Sequence, residues 1–255
     1  VLSAGLANML KELSYSSLNI LKRGKIFLAF VLLSACGGGG GGGGGSSDPD
    51  PAAIATYTVT FSTEWSGVTF PTNYPGDRDR HFSSLVGATH NEQVIFWESG
   101  QLASEGIEKV AEDGDNSVLE SEIDSAIDTG TADAVLMGDG IPDTATETEL
   151  MFLVSKNYPL VSLVSMLAPS PDWFVGVSGV SLMQGGDWID EFAIDLVAYD
   201  AGTDSGVVYY AANNDTDPQN VILPLDSLAT DTDFADGVHR DDGRHVATFR
   251  FKREP

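Results

Sequence analysis

Ala168-Pro169-Ser170-Pro171-Asp172-Trp173 and, downstream, Tyr199-Asp200-Ala201-Gly202-Thr203-Asp204-Ser205-Gly206 are the two stretches from which the chain is best read. Each sets carboxylates among Pro, Gly and Ser, and each adjoins an apolar, strand-like run. Carboxylates gathered at strand ends repel one another unless a cation sits among them. Asp172, Asp200 and Asp204 therefore read as the ligands of a hard-cation site, with calcium as the expected ion, because Ca²⁺ takes six to eight oxygens from flexible loops.

Working outward, the flanks set the fold class. Thr56–Ser62 alternates apolar and polar residues at period two, as a half-buried strand does. Further strand-like runs are Leu150–Ser155, Leu160–Leu167, Trp173–Val177, Trp188–Ala198, Val207–Ala211, Val221–Leu223 and His245–Lys252. Turn signals such as Asn157-Tyr158-Pro159, Gly185-Gly186-Asp187 and Asp241-Asp242-Gly243 separate them. Leu102–Glu112 and Val118–Ile127 are the two best helical stretches. In the first, Leu102, Ile107, Val110 and Ala111 fall near one face; the second follows the capping run Asp115-Asn116-Ser117. The expectation is a mainly β protein: an antiparallel β-sandwich with two short helices in one insertion between early strands.

The N-terminal part has another character. Lys22, Arg23 and Lys25 precede the eight-residue apolar run Ile26–Leu33, then Leu33-Ser34-Ala35-Cys36. Eight residues are too few to span a bilayer, which needs about 20, and the pattern is that of a secretory signal. The Leu-Ser-Ala-Cys box resembles the cleavage and lipidation site of bacterial lipoproteins, with Cys36 as the acylated residue. Residues 1–35 are thus expected to be a signal region. Cys36 is the chain's single cysteine, so no intramolecular disulfide can form. Gly37 to Gly45, then Ser46-Ser47-Asp48-Pro49-Asp50-Pro51, offer no side chains for a core, and residues 36–54 read as a flexible tether. By resemblance to Gram-negative lipoprotein sorting, Gly37 rather than Asp after the Cys implies the outer membrane or cell surface of a bacterial envelope. The remaining segment, 55–255, is long enough for one substantial core.

Charge narrows the partners. The chain has 13 basic and 38 acidic residues, a formal net charge of −25. Lys11, Lys22, Arg23, Lys25 and Glu12 precede Cys36, which leaves 9 basic and 37 acidic residues after it, or −28. Such a surface repels nucleic acid and anionic lipid and favours solubility and cation binding.

The separated motifs together resemble the spondin domain, the module near the N-terminus of the matrix proteins F-spondin and mindin. To the two opening stretches are added Asp195-Leu196 and, earlier in the chain, His81-Phe82-Ser83-Ser84-Leu85-Val86-Gly87-Ala88-Thr89-His90. Trp97-Glu98-Ser99-Gly100, Ala103-Ser104-Glu105-Gly106 and Val110-Ala111-Glu112 follow in the same order. The likeness runs from about Tyr57 to Lys252. It implies an antiparallel β-sandwich and one structural Ca²⁺ held by Asp172, Asp200 and Asp204, with backbone carbonyls or water completing the shell. Gly202 and Gly206 would let that loop turn tightly enough for its aspartates to converge. The animal proteins carry cysteines between the two calcium stretches. Leu182-Met183-Gln184-Gly185-Gly186-Asp187 has none, so packing or metal must hold this loop.

Other features carry less. Asn213-Asn214-Asp215-Thr216-Asp217-Pro218 begins like a helix–loop–helix calcium loop but has Pro218 where Gly is required. Asp231, Asp233, Asp236, Asp241 and Asp242 read as solvated loop charge. His81 and His90 are expected to satisfy local backbone groups, His239 and His245 to lie among acids and turns, and Trp65, Trp97, Trp173 and Trp188 to pack in the core. There is no Gly-x-Ser-x-Gly elbow, His-Glu-x-x-His helix or phosphate loop. The expected function is an exported, lipid-anchored, calcium-binding adhesion or recognition module with no enzymatic activity, monomeric, binding an extracellular glycan or protein and no nucleic acid. A secreted polysaccharide hydrolase using two of Glu98, Glu105 and Glu112 is the alternative; a purely structural envelope protein is a third.

Overall fold

A computed structural model describes residues 53–225, 233–234 and 245–255. The lipidation box with Cys36 and most of the tether lie outside the described residues, as do Asp231, Asp236, His239, Asp241 and Asp242.

The chain is an antiparallel β-sandwich with a helical layer on one face. Its strands are β1 (Ile54–Thr63), β2 (His81–Phe82), β3 (Leu85–His90), β4 (Ala132–Gly138), β5 (Glu147–Ser155), β6 (Leu160–Ala168), β7 (Trp173–Ser181), β8 (Met183–Gln184), β9 (Asp187–Trp188), β10 (Glu191–Leu196), β11 (Tyr199–Asp200), β12 (Leu223–Pro224) and β13 (Ala247–Arg253). One sheet runs β10-β13-β1-β5. The other runs β12-β11-β7-β6-β3-β4, with β2 also on β6, and β8 and β9 form a separate hairpin. Helices α1 (Glu105–Asp113) and α2 (Ser117–Asp128) lie between β3 and β4, in the early insertion that the sequence indicates.

Burial follows from this layering. β1 buries Ala55, Tyr57, Val59, Phe61 and Thr63 and turns the intervening residues outward, because one face of its sheet meets the core and the other meets water. β6 is buried almost throughout. Its Val161, Leu163 and Leu167 join the sandwich core, whereas Val164 packs with Ile107, Val110, Ala111, Leu119 and Ile123 of the helices. Phe61 ties the sheets together, its ring 5.0 Å from Phe249 in its own sheet and 5.1 Å from Phe82 on the other.

Several boundaries differ from the sequence reading. Leu102 is 57% exposed and precedes α1, which starts only after Ser104; the Ser104 hydroxyl accepts the Ile107 N–H at 3.2 Å. At α2 the expected cap Asn116 turns inward to donate to the Ser84 carbonyl, and the Asp115 carboxylate accepts the Ser117 N–H. Val207–Ala211 is no strand: the Ala211 N–H closes a turn on the Val208 carbonyl, and Tyr209 enters the core against Trp65 and Trp173. The run Trp188–Ala198 divides between β9 and β10, and β4 falls where the sequence suggested no strand.

The cysteine-free loop is a hairpin. Gly185 (φ 64°) and Gly186 (φ 95°) make its turn in the left-handed conformation that glycine adopts readily. Leu182 is buried, its N–H donates to the Pro159 carbonyl at 2.9 Å, and the Tyr57 hydroxyl reaches the carbonyls of Leu182 and Ile189. Packing and backbone hydrogen bonds anchor this segment.

Candidate functional site: a carboxylate cluster at the start of β7

Asp172 immediately precedes β7 and is fully buried. Its Oδ2 accepts three hydrogen bonds from the loop after β11: the Thr203 N–H at 2.8 Å, the Thr203 hydroxyl at 3.3 Å and the Asp204 N–H at 3.1 Å. Its backbone carbonyl accepts the Ala201 N–H at 3.0 Å. Asp200 stands across from Trp173 in the β11–β7 register, so pairing of the two strands brings the two motifs together. Asp200 Oδ1 accepts the Gly202 N–H at 2.7 Å, and Asp204 accepts the N–H groups of Gly206 and Asn214, each at 2.6 Å. The structure thus gathers all three predicted aspartates.

Glycine is required where the sequence placed it. Gly202 has φ 76°, and a Cβ there would lie 2.4 Å from the Asn220 carbonyl oxygen. A Cβ on Gly206 would meet Ala211, Pro171 and the Asp204 carboxylate within 3 Å. The segment that imitates a calcium loop has a different use. Its Asp215 bridges to Asp204, and the Thr216 N–H donates to the Thr203 carbonyl at 2.7 Å, so it walls the aspartate loop from outside.

The electrostatics are those of a site with surplus negative charge. Burial, then the charge of Asp200, pushes the Asp172 carboxyl up to about 7 against the pull of its backbone donors. Burial also raises Asp200, and the Asp204 charge adds to the effect. A fourth carboxylate comes from the helical layer: Glu112, in the last turn of α1, is raised by burial and by the charges of Glu108 and Asp204, while a hydrogen bond with Thr203 lowers it. From sequence, Glu112 has a chemical role only in a hypothetical catalytic pair, besides its place in the Val110-Ala111-Glu112 motif, because nothing in its spacing links α1 to a loop some 90 residues downstream.

A cation fits one observation in particular. Asp172 Oδ1 is a fully buried carboxylate oxygen with no hydrogen-bond partner, an arrangement that costs free energy unless something positive compensates it. Among the described residues no three His, Cys, Asp or Glu side chains stand as a ready-made metal cage; backbone N–H groups bond one oxygen each of Asp172 and Asp200 and both oxygens of Asp204.

The remaining candidates sort out as follows. His81 Nδ1 donates to the Asp79 carbonyl, and buried His90 donates from Nδ1 to the Asn91 carbonyl while its Nε2 accepts from the Ser162 hydroxyl. Trp65, Trp97 and Trp173 are buried, and Trp188 packs edge-on to Tyr57. Asp233 departs from expectation. It is buried rather than solvated, because its carboxylate accepts from the Asn73 amide at 2.7 Å and from the Tyr209 N–H.

Known proteins share much of this chain's sequence. The Spondin_N family model matches residues 55–246. The chain belongs to the Spondin_N family. Human Spondin-2 is 37% identical over 202 residues, 78% of this chain and 61% of that protein. Chicken Spondin-1 is 38% identical over 179 residues, 68% of this chain and 22% of the relative. Rat Spondin-2 is 35% identical over 174 residues, 68% and 53% respectively. The chain therefore spans less than two thirds of each of these relatives, and what it shares with them is the spondin domain. The aspartate cluster lies wholly inside that shared region.

Proposed function

We propose that this spondin domain is an extracellular recognition module, displayed on a bacterial cell envelope through lipid at Cys36 and pinned at its aspartate cluster by one calcium ion. The observation that carries the calcium reading is the buried, unpartnered Asp172 Oδ1 beside Asp200 and Asp204. Asp172, Asp200 and Asp204 would hold the ion, whose charge would offset their repulsion. The chain's own part is to lock the Thr203–Asp204 turn onto the start of β7, so that the loops around it present a fixed surface. Membership of the Spondin_N family supports an exported recognition module over a hydrolase. Glu98 and Glu105 are exposed, and Glu112 is engaged with Thr203. Glu105 and Glu112 are also about 10 Å apart along one helix axis.

The calcium claim is tested on the full chain by thermal unfolding in EDTA and in millimolar calcium, since extracellular sites commonly bind at about 10⁻⁴–10⁻³ M. Calcium should raise the midpoint, and Asp200→Asn should remove most of that rise. Identical midpoints, together with no calcium in the purified protein, would sink it. Labelling with a radioactive fatty acid, lost in Cys36→Ser, tests the anchor. Glycan and protein arrays probed with and without calcium test recognition; silence under both conditions would favour a purely structural envelope role.

A further inference from the structure

Consecutive strands β10 and β11 belong to different sheets. β10 pairs with β13 in the four-stranded sheet, β11 pairs with β7 in the larger one, and Val197 and Ala198 carry the chain across. β11 reaches only Trp173 and Phe174, so from Val175 to Ser181 no strand covers this side of β7 among the described residues. The hydrogen bond from the Ala201 N–H to the Asp172 carbonyl fixes which residues face that side. Alternation along an antiparallel strand then turns the backbone groups of Gly176 the same way, before the register irregularity that follows Val177. The wedge between the diverging strands is a cavity of about 500 Å³, and Gly176 and Ser178 are among its lining. The Ser178 hydroxyl is occupied elsewhere, donating to the Trp97 carbonyl. Ile95, 65% exposed, and Ile194 supply apolar surface, and the exposed Glu92 and Glu98 supply negative charge.

We propose that this groove takes an extended, cationic segment of a partner protein, added as a short strand against the open edge of β7. A strand edge with no neighbour among the described residues calls for another main chain, since strand addition continues the sheet. Apolar lining would hold every second side chain of such a segment. The carboxylates, on a chain of net charge −25, select Lys or Arg for the others.

The test uses the full chain and an N-acetylated, C-amidated hexapeptide of alternating lysine and valine, titrated calorimetrically at low salt. This peptide should bind, and its affinity should fall as salt rises. A version methylated on every peptide nitrogen keeps charge and apolar content but cannot pair as a strand; it should bind at least tenfold more weakly. Ile95→Lys, at an exposed position with little bearing on folding, should cost a similar factor. Glu147→Gln with Glu149→Gln, on distant β5, should leave the affinity unchanged. No binding at millimolar peptide, equal binding of the methylated peptide, or indifference to Ile95→Lys would each overturn the proposal. Equal binding of a glutamate–valine hexapeptide would overturn its charge selectivity.

Discussion

Asp172 commits one carboxylate oxygen to three donors of the Thr203–Asp204 turn and leaves the other without a partner, so this corner of the fold depends on how the surrounding chain is held. Gly202 is the residue most exposed to that demand. Gly202→Ala would place a methyl group against the Asn220 carbonyl at positive φ, and a loss of about 1–3 kcal/mol in urea unfolding is expected. His90 gives a pH signature. Burial lowers its pKa below the usual value near 6.5, so the folded state favours neutral imidazole. Its contribution is therefore fully present above about pH 6.5 and is lost as pH falls through the depressed folded value. His90→Gln should flatten the acid side of the stability curve; a slope below pH 6.5 unchanged from the parent would refute the assignment. At this scale the aspartate trio and Gly202 are legible in sequence because turn chemistry is local. Glu112, Asn214 and Asp233 are not, since each acquires its role only from a partner 10 to 160 residues away.

Among the elements, the helical pair shows what periodicity can and cannot say. The apolar spacing of Ile107, Val110, Leu119 and Ile123 identifies two amphipathic helices, and both form. What fastens them together has no sequence signature. Glu122 of α2 accepts the Gly106 N–H at 2.8 Å and the Ser104 hydroxyl at 2.7 Å, so one helix caps the N-terminus of the other. Gly106 permits the approach, for a Cβ there would lie 2.7 Å from Leu119 Cα. Glu122→Gln keeps one acceptor but removes the charge from this N-terminus, and should cost about 1 kcal/mol. Gly106→Ala should cost more by forcing the helices apart, despite alanine's better helix propensity. Chemical denaturation distinguishes these outcomes, and a stabilised Gly106→Ala protein would contradict the packing described. Val207–Ala211 illustrates the opposite error: its β-branched and aromatic residues resemble a strand, yet Tyr209 is used as a core plug and the backbone turns around it.

For the whole molecule, a net charge of −25 sets self-repulsion against the sandwich core. Raising sodium chloride from low to about 0.5 M, where the screening length falls well below 10 Å, should raise the thermal midpoint even without calcium. A midpoint that drops or stays flat would mean that pairings such as Arg253 with Asp190 outweigh the repulsion. Sequence by itself determined the composition-level facts, the antiparallel strand content, the helical insertion and the identity of three clustered aspartates. Those depend on alternation, turn residues and helical spacing, all properties of a few consecutive residues. Only the tertiary structure decided that β6 is buried on both faces, that Asp172 keeps an unpartnered oxygen, and that β10 and β11 part company to leave an edge of β7 uncovered among the described residues. Each of these is fixed by which surfaces meet across the fold, and that depends on pairings between residues far apart along the chain.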